Sequence, residues 1–194
     1  MNSIPAMTAN QESRTLTSSR LEDVEATDAF GCALAAAVLL HLEAIRAAGL
    51  QINLSGDLGA GKTALVRAML HALGVDGPIK SPTFALLEPY AVSSLDFYHF
   101  DFYRLKEPVE FGSAGFRELF GPGRICVVEW PERAGPRLPT ADISITLAVD
   151  GDGRVATIST TSELGEACLS SARKKMQAIG DGSSPQAPAP SSSR

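Results

Sequence analysis

Apolar residues recur along this chain with two periods, about 3.6 and 2, and their alternation lays out a series of helices and strands. After Thr27 or Asp28, either of which can act as a cap, Ala33, Ala36, Leu39, Leu40 and Ile45 form an apolar helical stripe reaching about Ala48, where Gly49 ends it. Gln51–Ser55 reads as a short strand. Ala64–Leu73 returns to the helical period, with Leu65, Met69 and Leu73 on one face and Gly74 as the stop. Phe84–Tyr90 and Leu95–Phe102 have strand composition and flank the turn-like Ala91-Val92-Ser93-Ser94. Spacing this close predicts an antiparallel hairpin rather than a parallel crossover.

The second half continues the pattern. Pro108–Phe120 reads as a helical region broken by Gly112 and Gly115, followed by a turn at Gly121-Pro122-Gly123. Ile125–Val128 is a continuous apolar run of the kind found in a buried central strand. Asp150-Gly151-Asp152-Gly153 between Ile143–Val149 and Arg154–Ser159 is a hairpin signal. A short strand at Arg14–Thr17 and a last helix over Ser162–Ile179 complete the series. The basic cluster Arg173-Lys174-Lys175 would complement that helix's C-terminus.

Composition sets the limits. With 194 residues the chain can build one domain with a sizeable core. The division it suggests is a polar arm over 1–20, a main domain over 21–160, a C-terminal helix over 161–179 and a disordered Pro/Ser-rich tail over 180–194. A net charge of −5 leaves no broad basic face for gripping RNA or DNA directly, so a nucleic-acid role would run through a partner. Cys32, Cys126 and Cys168 fit neither a disulfide framework nor a zinc spacing, and Cys126 lies in the apolar run, where core packing is its simplest role. The densest apolar stretch, Cys32–Leu42, is too short for a membrane span and contains His41. The first twenty residues lack an apolar signal core. The expectation is a cytoplasmic protein with no membrane contact.

The chemistry concentrates in Gly56-Asp57-Leu58-Gly59-Ala60-Gly61-Lys62-Thr63, which fits the phosphate-cradling loop G-x-x-x-x-G-K-[ST]. Glycines let the backbone turn its N–H groups inward, and the following helix points its positive end at the same place. Lys62 would reach the β- and γ-phosphates, and the Thr63 hydroxyl would ligate Mg²⁺. A chance match in a chain of this size has odds of roughly 1%. The order strand, loop, helix lowers them further, and nucleoside triphosphate binding is the reading.

Such a loop needs a carboxylate for the metal, supplied from the carboxyl end of a neighbouring strand. Glu129 ends the Ile125–Val128 run, and Asp101 ends the Leu95–Phe100 stretch. Glu129 is assigned to the metal, against the simpler role of a strand-end acid in solvent. Asp101 has two readings: orienting water or contacting the metal shell, and a structural ion pair with Arg104. Lys80-Ser81-Pro82-Thr83 is an ordered loop, because Pro82 restricts Ser81 to extended conformations. It lies where γ-phosphate sensing loops sit, or is an ordinary turn. His99 on a strand reads as a hydrogen-bonded core residue.

Four segments in this order and spacing resemble one family: Gly56–Thr63, Lys80-Ser81-Pro82-Thr83-Phe84, Tyr98–Leu105 and Val128-Glu129-Trp130-Pro131. Together they resemble the TsaE family, small bacterial ATPases needed to make threonylcarbamoyladenosine in tRNA, over roughly Leu21–Val149. The resemblance implies a P-loop NTPase-like α/β fold of three layers with a mixed sheet, a parallel core extended by antiparallel strands. It implies weak, Mg²⁺-dependent ATP hydrolysis within a complex with the transfer proteins TsaB and TsaD, and contact with tRNA only through that complex. The modified tRNAs read codons beginning with A. Carried over by motif, Gly59, Ala60, Gly61, Lys62 and Thr63 hold the phosphates, and Thr63 and Glu129 ligate Mg²⁺. Lys62, Asp101 and Glu129 belong to the catalytic site, Ser81-Pro82-Thr83 resembles the nucleotide-responsive switch, and Asp23 matches a position near the nucleotide base. Gly112-Ser113-Ala114-Gly115 departs from the family pattern. Two rivals share the loop. A small-molecule kinase would draw a lid from Arg104, Arg117, Arg124, Arg133 and Arg137, and a GTP switch would need an Asn-Lys-x-Asp segment that the chain lacks.

Overall fold

The computed structural model describes residues 15–180, so residues 1–14 of the expected arm and 181–194 of the expected tail lie outside the described residues. Seven strands form one mixed sheet in the order β1-β7-β6-β2-β5-β4-β3. They are β1 (Thr15–Leu21), β2 (Leu50–Ser55), β3 (Leu87–Val92), β4 (Leu95–Asp101), β5 (Arg124–Glu129), β6 (Ile143–Asp150) and β7 (Gly153–Thr160). β6, β2, β5 and β4 run parallel at the centre, while β1, β7 and β3 are antiparallel to their neighbours.

The register explains the core. Leu50 and Phe97 flank Ile125, and Ile52 and His99 flank Val127, so these side chains share one face. That face is covered by α1 (Val24–Leu40), α3 (Lys62–Ala72) and α5 (Glu163–Gly180), whose Leu34, Leu65, Met69 and Leu169 bury against it. The opposite face carries a smaller, aromatic core. There Phe100, Phe102, Cys126 and Val128 pack with Phe111 of α4 (Pro108–Ser113) and against a 3₁₀ turn at Phe116–Leu119.

Several boundaries differ from the sequence expectation, each for a local reason. The first helix is capped by Asp23, whose carboxylate accepts from the Ala26 N–H at 2.7 Å, and Thr27 is buried inside the helix. The single helix expected to run to Ala48 is broken at His41, where α2 (Leu42–Ala48) leaves α1 at 76°. Phe84 lies in a turn closed by the Leu86 N–H on Pro82 O at 2.6 Å, so β3 starts only at Leu87. Pro89 fits there because β3 is an edge strand. The break expected in Pro108–Phe120 falls at Gly115, at φ 72°, while Gly112 stays within α4. β1 extends to Leu21, so residues 15–20 belong to the sheet. α5 runs on to Gly180, which leaves Arg173-Lys174-Lys175 inside the helix, where Arg173 bonds the Thr17 hydroxyl of β1. Among the described residues no single helix is long and apolar enough to cross a membrane.

Candidate functional site

The phosphate-type loop, residues 56–61, joins β2 to α3, and the strands on one side of it set the chemistry. Leu54 of β2 lies opposite Glu129 of β5, and Glu129 lies opposite Asp101 of β4. One rung therefore delivers both carboxylates to the carboxyl edge of the parallel strands, on the face where α3 begins. Both are nearly dry, at 2% and 3% exposure. A buried carboxylate is costly without donors, so its partners are informative.

Glu129 Oε1 accepts from the Thr63 hydroxyl at 2.8 Å and bonds His99 Nε2 at 2.9 Å. His99 is fully buried one rung below, and its Nδ1 has no hydrogen-bond partner among the described residues. Asp101 faces the loop after α3. Its Oδ2 accepts from the hydroxyls of Ser81 and of Thr83, the latter at 2.7 Å, and its Oδ1 accepts from the Tyr103 N–H at 2.9 Å. Arg104 is not its partner; that guanidinium lies over the Phe84 ring, 4.1 Å from its centroid. The ion-pair reading of Asp101 is thereby replaced by a carboxylate that ties the Ser81–Thr83 loop to the strand end.

Lys62 opens α3 behind Gly61, which sits at φ 104°. Its ammonium donates to the carbonyls of Gly56 at 2.6 Å and Asp57 at 2.9 Å, and stands 3.9 Å from the centroid of the Trp130 ring. Burial lowers its pKa below the ordinary lysine value, an effect opposed by the charges of Glu129, Asp101, Glu132 and Asp57. Trp130 takes a left-handed backbone, φ 58°, directly after Glu129, an uncommon conformation of the type that clusters at functional sites. Gly56 has no alternative: at φ 131° a Cβ would run into the Leu147 carbonyl.

These residues line a cleft of about 370 Å³, bounded by Gly59, Gly61, Lys62 and Thr63 on one side and by Ser81, Asp101, Glu129 and Trp130 on the other. Ala60 is buried behind the loop. Asp23 does not line the cleft; it caps α1 two residues beyond the Leu21–Arg154 rung. None of Arg104, Arg117, Arg124, Arg133 or Arg137 lines it either. A second groove of about 320 Å³, between β1 and α5, is mostly apolar and has no anion-binding loop.

Two groups were not legible beforehand. Arg154 of β7 reaches the loop and donates from Nε to Ala60 O at 2.8 Å, a contact across 94 residues that no local pattern announces. The link from His99 to Glu129 could have been inferred from the strand parity of His99 and Asp101, given the pairing of β4 with β5.

The donors that a metal would meet at this site are oxygens. Among the described residues no cluster of three or more His, Cys, Asp or Glu side chains could hold an ion by itself. Thr63 and Glu129 form instead a two-oxygen edge beside an anion-binding loop. Mg²⁺ is commonly held this way, with one or two protein oxygens, phosphates and waters completing its shell.

Comparison with known proteins identifies the family. A family model described as "Threonylcarbamoyl adenosine biosynthesis protein TsaE" matches residues 21–156. The chain is 40% identical to a protein of that name from Haemophilus influenzae over 135 residues, which is 70% of this chain and 84% of the relative. It is 42% identical to the Treponema pallidum protein over 106 residues, 54% of this chain and 77% of that protein. The crystal structure of Bacillus subtilis YdiB superposes with a TM-score of 0.62 at 25% identity, over 82% of this chain and 95% of YdiB.

Proposed function

This chain belongs to the TsaE family of threonylcarbamoyladenosine biosynthesis proteins, and on that premise we propose that it is a Mg²⁺-dependent ATPase. It works with TsaB-like and TsaD-like transfer proteins to modify tRNAs that read codons beginning with A. The observation that carries this reading is the Thr63–Glu129 pair standing at the head of the phosphate loop. Its net charge of −5 fits contact with tRNA through partners rather than directly. The same reading places the protein in the cytoplasm.

The residues divide the work. The amides of Gly59, Ala60 and Gly61, with those of Lys62 and Thr63 at the helix start, receive the phosphates. Lys62 exchanges the carbonyls of Gly56 and Asp57 for phosphate oxygens. Thr63 and Glu129 hold the metal, with His99 fixing the Glu129 carboxylate from behind. Bound Mg²⁺ neutralises charge on the β- and γ-phosphates. Asp101 either orients water or contacts the metal shell, and its bonds to Ser81 and Thr83 make that loop a nucleotide-responsive switch. Asp23 stands toward the nucleoside end. Hydrolysis is weak in isolation and rises when the partners complete the site.

The test is reconstitution of tRNA modification from purified TsaB-like and TsaD-like proteins with this chain, supplied with unmodified tRNA and a preformed activated threonylcarbamoyl donor. Modification that requires the wild-type chain and ATP, and fails with Lys62→Ala, supports the reading. Undiminished modification without this chain removes it.

A further inference from the structure

The phosphate loop has two unlike flanks. On the β5–β4 side stand Glu129 and Asp101; on the β6–β7 side the group that reaches the loop is Arg154. Its guanidinium lies so close that a Cβ on Gly61 would come within 2.6 Å of Nε, while the φ of 104° is what calls for glycine there. Arg154 lines the cleft, yet its Nη1 is buried with no hydrogen-bond partner, and among the described residues no carboxylate pairs with it. A buried guanidinium N–H without an acceptor is costly, and such groups call for an explanation.

We infer that Arg154 is a nucleotide-binding residue whose guanidinium donates to the polyphosphate at the phosphate nearest the nucleoside. The inference rests on the ATP reading above. Thr63 and Glu129 would hold the metal on the opposite flank, where it would neutralise charge on the β- and γ-phosphates. The remaining phosphate then falls on the side of Gly61 and Arg154. Arginine suits the place because its fork supplies several separate donors: Nε holds the Ala60 carbonyl and leaves the other N–H groups of the guanidinium for a ligand in the cleft that Arg154 lines. Lysine, a single point donor, cannot do both. The contact is made to ATP and ADP alike, so Arg154 governs affinity and leaves discrimination between them to Lys62 and the metal pair.

Calorimetric titration with ATP, ADP and the α-thio analogue of ATP, each with Mg²⁺, tests this on wild type, Arg154→Gln and Arg154→Lys. Melting temperatures of the free proteins are measured alongside. The expected result is a loss of about tenfold in affinity for both ATP and ADP, the value of one charge-assisted hydrogen bond. Arg154→Lys does not restore it. Sulfur at the α-phosphate weakens wild-type binding and leaves the variants unaffected. A purely structural arginine would leave the sulfur effect intact in the variants, and that result, or unchanged affinity, overturns the inference. Should Arg154→Gln melt below the assay temperature, the sulfur comparison is read on Arg154→Lys. Wild type that binds no ATP at all overturns the ATP reading itself, a distinct outcome.

Discussion

The Thr63 hydroxyl donates to Glu129 Oε1 across 2.8 Å, joining the first turn of α3 to the last residue of β5. Sixty-six residues separate the two. Their meeting follows from sheet order: β5 is the parallel neighbour of β2, so its carboxyl end stands beside the loop that β2 feeds. His99 closes the arrangement from the next rung of β4.

Glu129→Gln keeps the size of the side chain and removes its charge. Mg²⁺-dependent nucleotide binding and hydrolysis fall by at least about 100-fold, while nucleotide binding without metal changes little. His99→Asn, acting through Glu129, costs about 10–100-fold, as groups supporting a metal ligand do. Titrations with and without Mg²⁺ check both, and equal losses in the two conditions would mark Glu129 as structural.

Removing the hydroxyls that hold Asp101 frees the loop. In Ser81→Ala with Thr83→Val, two hydrogen bonds to a carboxylate are lost, each contributing about 1.5–3 kcal/mol. Amide hydrogen exchange around Leu86 and Asp101 accelerates by tenfold or more. The proposed switch predicts that ATP changes exchange there in wild type and that this change disappears in the double variant.

The aromatic core beneath the site is tested by Phe100→Ala. Phe100 is fully buried, stacks on Phe120 at 5.4 Å and meets Phe116 edge-on at 5.5 Å. Its truncation costs about 3–5 kcal/mol, read as a lowered urea midpoint.

Burial pushes the Cys126 and Cys168 thiols up to about 12, whereas Cys32 is exposed. At pH 8 a thiol reagent modifies the folded protein at one site, and Cys32→Ser abolishes the reaction until urea is added. The buried thiols keep their protons in the folded state between pH 9 and 12, while the unfolded chain releases them. Their contribution to stability is therefore complete below about pH 9 and is lost as pH rises toward 12. Urea midpoints of wild type and Cys168→Ala over pH 8 to 11 check the sign: the wild type loses more of its midpoint.

Those parts of fold and site whose cause is local were legible in the sequence. The phosphate loop is contiguous, and the hairpin of β6 and β7 follows from Asp150-Gly151-Asp152-Gly153. Glu129 announced itself as an acid ending an apolar run. What escaped was set by tertiary packing. The break at His41 arises where α2 turns away and the His41 ring meets Ser171 of α5 at 3.0 Å. The anchoring of Asp101 to Ser81 and Thr83, rather than to Arg104, depends on where the loop after α3 crosses the strand end. Arg154 reaches Ala60 only because β7 and β6 stack beside β2 in the sheet.

Calorimetric titration of the purified protein with ATP in the presence of Mg²⁺, set against Lys62→Ala, tests the central claim most directly. The expected result is saturable binding to wild type that vanishes in the variant, since the proposed function makes the buried ammonium the charge partner of the phosphates. No heat from wild type, even with the partner proteins added, or equal binding by Lys62→Ala, would contradict it.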